Sequence, residues 1–395
     1  MPSTKVTLLG QILSLIDRDI IKKVVSKHSS DKFNKGIDTW THMVSMIFMH
    51  LSAAGSLRDI SNGLRSATGN LNHMGVKKAP SKSSISYINK HRNYKVFEDM
   101  YFALLESLEP SLQRSRQYAR RLKRKVFIMD SSIIPLSLSL FDWAKFRTTK
   151  GAIKLQAVLD YDTGLPSYAY ITDGKKHDSK VASMTTFPSK SVLVIDRAYV
   201  DFVWLNILDS SGVYFVTRLK SNIDVEEVKV NPINEKHEHI LEDAEVLLGG
   251  KGMWKKYEKS LRKVTVYDEE LDQYIVLLTN NFNWTADTVS QLYKARWDIE
   301  VFFKHLKQLF RVKTFVGTCE NAVRIQMWCS MIAILLVNYL KRKANYKWHL
   351  ANLVTFLRIN LFVKIDLMTW LNRPFEKRGK SPPENNLFSL AGVQI

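Results

Sequence analysis

Apolar positions change their spacing several times along the chain. Up to about residue 95 they recur every three to four positions, in "TLLGQILSLIDRDIIKKVV", "DTWTHMVSMIFMHL" and "SLRDISNGLRS", which predicts helices. Asp38 or Thr39 is the expected N-cap of the second stretch and Ser56 opens the third. "APSKSSISYINKHRN" predicts a further helix behind Pro80 and Ser81, offering Lys82, Ser84, Tyr87, Asn89, Lys90 and Arg92. Short polar and basic side chains at a helix start suit phosphate and base-edge contacts, so 1–95 reads as a helical DNA-binding domain. A helical scaffold with a solvated basic face is the alternative.

A basic linker or helix end follows over 96–124, with "RSRQYARRLKRK" at 114–125 as a phosphate-binding strip. From 125 the pattern turns to short apolar runs, "KVFIMD" (125–130), "SVLVID" (191–196) and "VYFVTRL", each read as a strand. "AIKLQAVLDYDTGLPSYAYITD" reads as a hairpin turning at "DTGLP", while "DSKVASMTTF" and "FVWLNILDSS" read as helices. Strands and helices alternating in this way predict a mixed α/β sheet over 125–222, resumed at 279–325. Between the two parts, 223–278 reads as a β-rich insertion, with "KSLRKVTVYD" and "QYIVLLT" alternating. The remainder, 326–395, is expected to be helical, and the apolar helix near 327–340 is core or an oligomer face.

The chain has 395 residues, 58 lysines and arginines against 38 acids, and a net charge of +20. That excess favours a polyanionic partner. The apolar run "MWCSMIAILLVNYL" is short for a membrane span and is broken by Ser330 and Asn338. A soluble, cytoplasmic protein with no membrane partner is the expectation. Two cysteines, Cys319 and Cys329, exclude a disulfide framework and a four-thiolate zinc site. "HEH" at 237–239 has metal-ligating side chains but sits in the charged run "NEKHEHILED", and reads as a solvated loop. Any metal is expected on carboxylates instead.

Two apolar strands end on aspartate, Asp130 and Asp196. Ligands gather at the carboxyl ends of strands in open α/β sheets, although aspartate also serves there as a turn residue. "YKARWDIEVFFKHLK" (293–307) adds Glu300 on a predicted helix, where Tyr293, Arg296, Glu300 and Lys307 fall within an arc of roughly 60°. A mixed-charge surface helix is the ordinary reading of such a face. Three carboxylates from two strands and a helix can instead hold two magnesium ions about 4 Å apart, with manganese substituting, for in-line phosphoryl transfer. Arg296, Lys304 and Lys307 would then face DNA phosphates. Arg147, Lys150 and Lys154 in "FRTTKGAIK" flank the first aspartate's sheet, where DNA would lie, or form a solvated strand edge.

Tyr293, Arg296, Glu300 and Lys307 match, spacing for spacing, the YREK signature of the DDE insertion-sequence transposases (insertion sequence family four). "FRTTKGAIKLQAVLDYDTGLPSYAYITDGKKHDSKV" is similar to that family's core around the first aspartate, with Gln156 where histidine is common, and "VLVIDRAYVDF" resembles its second-aspartate motif. "SLRDISNGLRSATGNLNHMG" is similar to the helical domain of one branch. The resemblance implies an RNase H-like catalytic core split by the β-rich insertion, with Asp130, Asp196 and Glu300 as the metal-binding triad. Tyr293, Arg296 and Lys307 would contact double-stranded DNA at the terminal inverted repeats. Cut-and-paste transposition through a hairpin, followed by joining of 3′-hydroxyls to target DNA, would follow. A homodimer would form in the synaptic complex, associated with the nucleoid. A flipped base would stack on an aromatic of the insertion, for which Trp254, Tyr274 and Trp284 stand open. The alternatives are an inactive repeat-binding descendant and a stand-alone nuclease of the same fold.

Overall fold

The computed structural model describes residues 4–34, 36–113, 122–137, 141–147, 150–173, 182–233, 236–250, 252, 254–270, 272–310, 312 and 314–375. Most of the basic run 114–125 lies outside them, as do residues 178–181 of the helix expected at "DSKVASMTTF"; its remaining residues are described, and 183–187 form a turn and irregular chain instead of helix. Six helices come first: α1 (Leu8–Leu13), α2 (Arg18–Lys27), α3 (Thr39–Ser52), α4 (Leu57–Ser66), α5 (Lys82–His91) and α6 (Lys95–Leu112). Their starts follow local chemistry. Asp38, Ser56 and Ser81 each accept a hydrogen bond from a first-turn amide, at Thr41, Asp59 and Ser84. Not all of α5's polar face is free for a partner. Lys82, Tyr87 and Lys90 are exposed, but Asn89 is buried against His42 and Arg92 is tied to Asp31 and the Ile37 carbonyl.

One mixed sheet follows, built from β1 (Val126–Leu136), β2 (Lys145–Arg147), β3 (Lys150–Asp160), β4 (Leu165–Asp173), β5 (Val192–Ile195), β6 (Tyr214–Arg218), β7 (Val225–Val230), β8 (Ile240–Leu248), β9 (Leu261–Asp268) and β10 (Gln273–Thr279). Its order is β2-β3-β1-β5-β6-β10-β9-β8-β7, with β4 also paired to β3. β1, β3 and β4 are antiparallel, whereas β5 and β6 run parallel to β1. The strands at 225–279 continue this sheet, because β10 pairs antiparallel with β6.

Strand alternation divides the sheet into two faces. Ile128, Leu155, Val194 and Val216 face the main helical layer, whereas Phe127, Met129, Leu193 and Phe215 pack with α7 (Phe202–Ser210) on the other side. Beyond α8 (Ala286–Lys294) the described residues hold four more helices: α9 (Trp297–Gln308), α10 (Glu320–Lys343), α11 (Leu350–Asn360) and α12 (Leu367–Asn372). By length and composition α10 could cross a membrane, yet 83% of its most apolar window is buried inside the protein. Every residue from Met327 to Val337 is buried against α3, α5, α6 and other neighbours, which makes this stretch core and leaves no oligomer face on it.

The N- and C-terminal helices share one body. The Leu8 and Leu9 amides donate to the Val363 and Leu361 carbonyls, and His50 bridges the carbonyls of Phe310 and Gln326. A buried ion pair anchors the approach to α8. Arg262 on β9 grips Asp243 on β8 through two bonds of 2.8 and 2.6 Å and donates to the Trp284 carbonyl. Burial works against the Asp243 carboxylate, but hydrogen bonds from Arg262 and Asn231 outweigh it and hold its pKa below the ordinary value.

Removing one partner of such a pair strands the other charge. Arg262→Met is expected to cost about 3–5 kcal/mol in urea unfolding at pH 7; a loss under about 1 kcal/mol would show that the pair does not anchor this corner. Because the folded pKa of Asp243 lies below the unfolded one, the wild-type advantage should be present above about pH 4 and vanish as pH falls further.

Candidate active site

Four residue pairs, Val126–Val192 through Met129–Ile195, join β1 to β5 in parallel. The next residue on each chain is an aspartate, so Asp130 and Asp196 emerge side by side. β1 does not end there, as the apolar run predicted. It continues to Leu136 because β3 keeps pairing with it after β5 has ended. Asp130 therefore lies mid-strand, at the carboxyl end of the parallel segment only. Alternation puts it on the face of Ile128 and Ile134, toward α9. Asp196 caps a single turn, Arg197–Tyr199, through the Ala198 amide, and the Tyr293 hydroxyl donates to its Oδ1 at 3.5 Å.

The expected single helix through 293–307 is two. α8 ends at Lys294 and α9 begins at Trp297. Between them the Arg296 amide donates to the Tyr293 carbonyl and the Ile299 amide to the Arg296 carbonyl, a tighter i to i−3 pattern. Tyr293 thus closes one helix and Arg296 opens the next. The Arg296 guanidinium lies 2.6 Å from Glu300 Oε1, 3.6 Å from Asp130 Oδ2 and 5.7 Å from the Tyr293 ring centroid. One cation therefore links Asp130 and Glu300, beside the Tyr293–Asp196 contact.

Electrostatics at the site follow from burial. Desolvation pushes Asp130 up to about 6; the charges of Asp196 and Glu300 add to this, while the Ser131 amide and Arg296 oppose it. Tyr293 is pushed up to about 12, mainly by burial. Burial works against the Arg296 charge, but Tyr293, Glu300 and Asp130 more than compensate and hold its pKa above the ordinary value. The three carboxylates supply oxygen donors alone, which suits a hard divalent cation. Such a cation would also relieve the repulsion among them, so the residues present fit one.

Other expected residues are distributed unevenly. Lys304 is exposed and Lys307 half-buried, one and two turns beyond Glu300 on α9. Arg147 and Lys150 face each other across the β2–β3 tip, and their side chains lie outside the described residues. Lys154 does not join the site: it is 8% exposed and its register with Ile133 puts it on the sheet face opposite Asp130. Trp254 lies in a short turn and its side chain is outside the described residues. Trp284 is half-buried, its ring 5.4 Å from that of Tyr214. Tyr274 is 68% exposed beside Tyr267. Trp297, next to Arg296 in the chain, is exposed; it lies beyond residue 278 and is not one of the aromatics expected to stack a base. It lines a cleft of about 350 Å³ with Arg218, Tyr267, Tyr293 and Arg296.

The Transposase DDE domain family matches residues 121–336, and a domain of unknown function matches residues 4–77. A Sinorhizobium fredii protein named as transposase y4zB is 30% identical over 67% of this chain and 72% of its own length. A Geobacillus stearothermophilus protein named as the transposase of insertion sequence element IS5377 is 27% identical over 65% of this chain and 67% of its own. A Synechocystis protein named for insertion sequence element IS4SA is 24% identical over 73% and 80%.

A carboxyl whose pKa is higher folded than unfolded loses stability as pH rises between the two values. Asp130→Asn is therefore expected to raise the thermal unfolding midpoint at pH 8 in chelator, by up to about 3 kcal/mol of stability, and to change little at pH 4. A lower midpoint at pH 8 would mean the carboxylate is not held under strain.

Proposed function

The chain belongs to the DDE transposase family, and on that premise we propose that it moves an insertion sequence by cutting and pasting. Asp130, Asp196 and Glu300 would hold a divalent metal pair, magnesium with manganese as substitute, and the observation that carries this reading is their convergence on Arg296 and Tyr293. When bound, the metal supplies Lewis-acid stabilisation of the attacking and leaving oxygens in phosphoryl transfer. Arg296, already holding a buried positive charge, orients Glu300 and Asp130 and neutralises phosphate beside them. The Tyr293 hydroxyl fixes the rotamer of Asp196. Lys304 and Lys307, with Arg147 and Lys150 at the β2–β3 tip, bind the backbone of the terminal repeat.

The order of three antiparallel strands followed by two parallel ones supports an RNase H-like core, with β7–β10 as its insertion. The YREK spacing supports the subfamily and with it the hairpin route: water frees a 3′-hydroxyl, that hydroxyl attacks the opposite strand, and the reopened end joins target DNA. A flipped base would stack on Tyr274 or on Trp297 at its cleft. Two ends must be held together, so a homodimer on DNA is part of the proposal. All three carboxylates are present, which weighs against an inactive repeat-binding descendant.

Cleavage of a labelled duplex carrying the repeats that flank the gene tests the reading. Metal-dependent cutting at the repeat boundary is expected, with joined products, and none with Asp130→Asn; cutting without joining would favour a nuclease. Glu300→Gln should abolish cutting and leave end binding within a few-fold, and equal loss of both would remove Glu300 from the metal. Lys307→Ala should weaken binding and flatten its salt dependence by about one unit of slope or less; an unchanged slope takes Lys307 off the phosphates.

A further inference from the structure

The "HEH" run reads in sequence as a solvated loop, yet it folds against the start of α8. His237 Nδ1 lies 3.8 Å and His239 Nε2 3.4 Å from the same atom, Asp287 Oδ1. Among the described residues, these three ligand atoms form a group of His, Cys, Asp or Glu donors all within 4.8 Å of one another. Both separations exceed a charge-assisted hydrogen bond of about 2.7–2.9 Å. They approach the donor spacing of roughly 3.3 Å that tetrahedral bonds of about 2.0–2.1 Å impose. His239 Nε2 is buried and makes no hydrogen bond, and the two imidazoles meet edge to face at 81° instead of stacking. The backbone holds them there: the Tyr267 amide donates to the His239 carbonyl and the Ile240 amide to that of His237.

We propose that His237, His239 and Asp287 form a transition-metal site, separate from the carboxylates of the active site, whose best-fitting ion is zinc. Two imidazole nitrogens and one carboxylate oxygen suit zinc, whereas magnesium prefers an octahedron of oxygens. Three protein ligands leave one position to water. The ion would fasten the β7–β8 connection to the first turn of α8, whose last turn carries Tyr293. It would thereby fix the direction from which that helix delivers Tyr293. This site does not depend on the transposition reading.

The full chain, stripped with chelator, is titrated with zinc by calorimetry and with cobalt by visible absorption. One equivalent of zinc is expected at this site, accompanied by tetrahedral cobalt bands and a higher unfolding midpoint with zinc. The same uptake should persist in the triple variant Asp130→Asn, Asp196→Asn, Glu300→Gln. It should be lost in His237→Ala with His239→Ala, and weakened by about 100-fold or more in the isosteric Asp287→Asn, whose fold is checked by circular dichroism. No uptake by the wild type, uptake that survives loss of both histidines, or uptake lost with the active-site carboxylates would each overturn the proposal.

Discussion

The short parallel pairing of β1 with β5 is the constraint on which the site depends. Its residues are buried on both faces, so every backbone amide and carbonyl must find its partner within the sheet. A slip of one position would send Phe127 and Met129 to the helical side and Ile128 to the other, exchanging two cores of different shape. Register is therefore strongly specified, and with it the adjacency of Asp130 and Asp196. β3 adds a second consequence: by pairing past the end of β5 it keeps Asp130 on rigid strand, so its direction is set by alternation.

Placing carboxylates together under partial burial costs energy, and the surroundings show how the fold absorbs it. Arg296 is the compensating charge, held where α8 breaks into α9. A continuous helix would carry Tyr293 and Arg296 round by about 100° per residue. The tightened turn instead lets the tyrosine face Asp196 while the guanidinium spans Asp130 and Glu300. Upstream, the Arg262–Asp243 pair holds the Trp284 carbonyl at the entrance to α8, so β8 and β9 help set where that helix begins.

The helical layer bears on function through its unity. α10 runs through the protein with its apolar side chains covered by helices from before the sheet, and α9 joins it to β1. Motion of the exposed basic residues on α5 relative to the carboxylates would have to break buried contacts such as that between His50 and the carbonyls of Phe310 and Gln326.

Local patterns in the sequence determined the helices that begin behind Asp38, Ser56 and Ser81, those caps themselves, and the hairpin at "DTGLP". Those features depend on neighbours a few positions away, and periodicity or capping chemistry reads them directly. Tertiary structure decided the rest. Whether β1 stops at Asp130 depends on how far β3 pairs, and whether 293–307 is one helix depends on what Arg296 reaches. Lys154 and Arg92 look available for DNA in sequence, yet one is buried in the sheet and the other spent on Asp31. His237 and His239 look solvated until Asp287, nearly fifty residues later, is brought against them. In each case the deciding partner is remote in sequence, and only packing sets its distance.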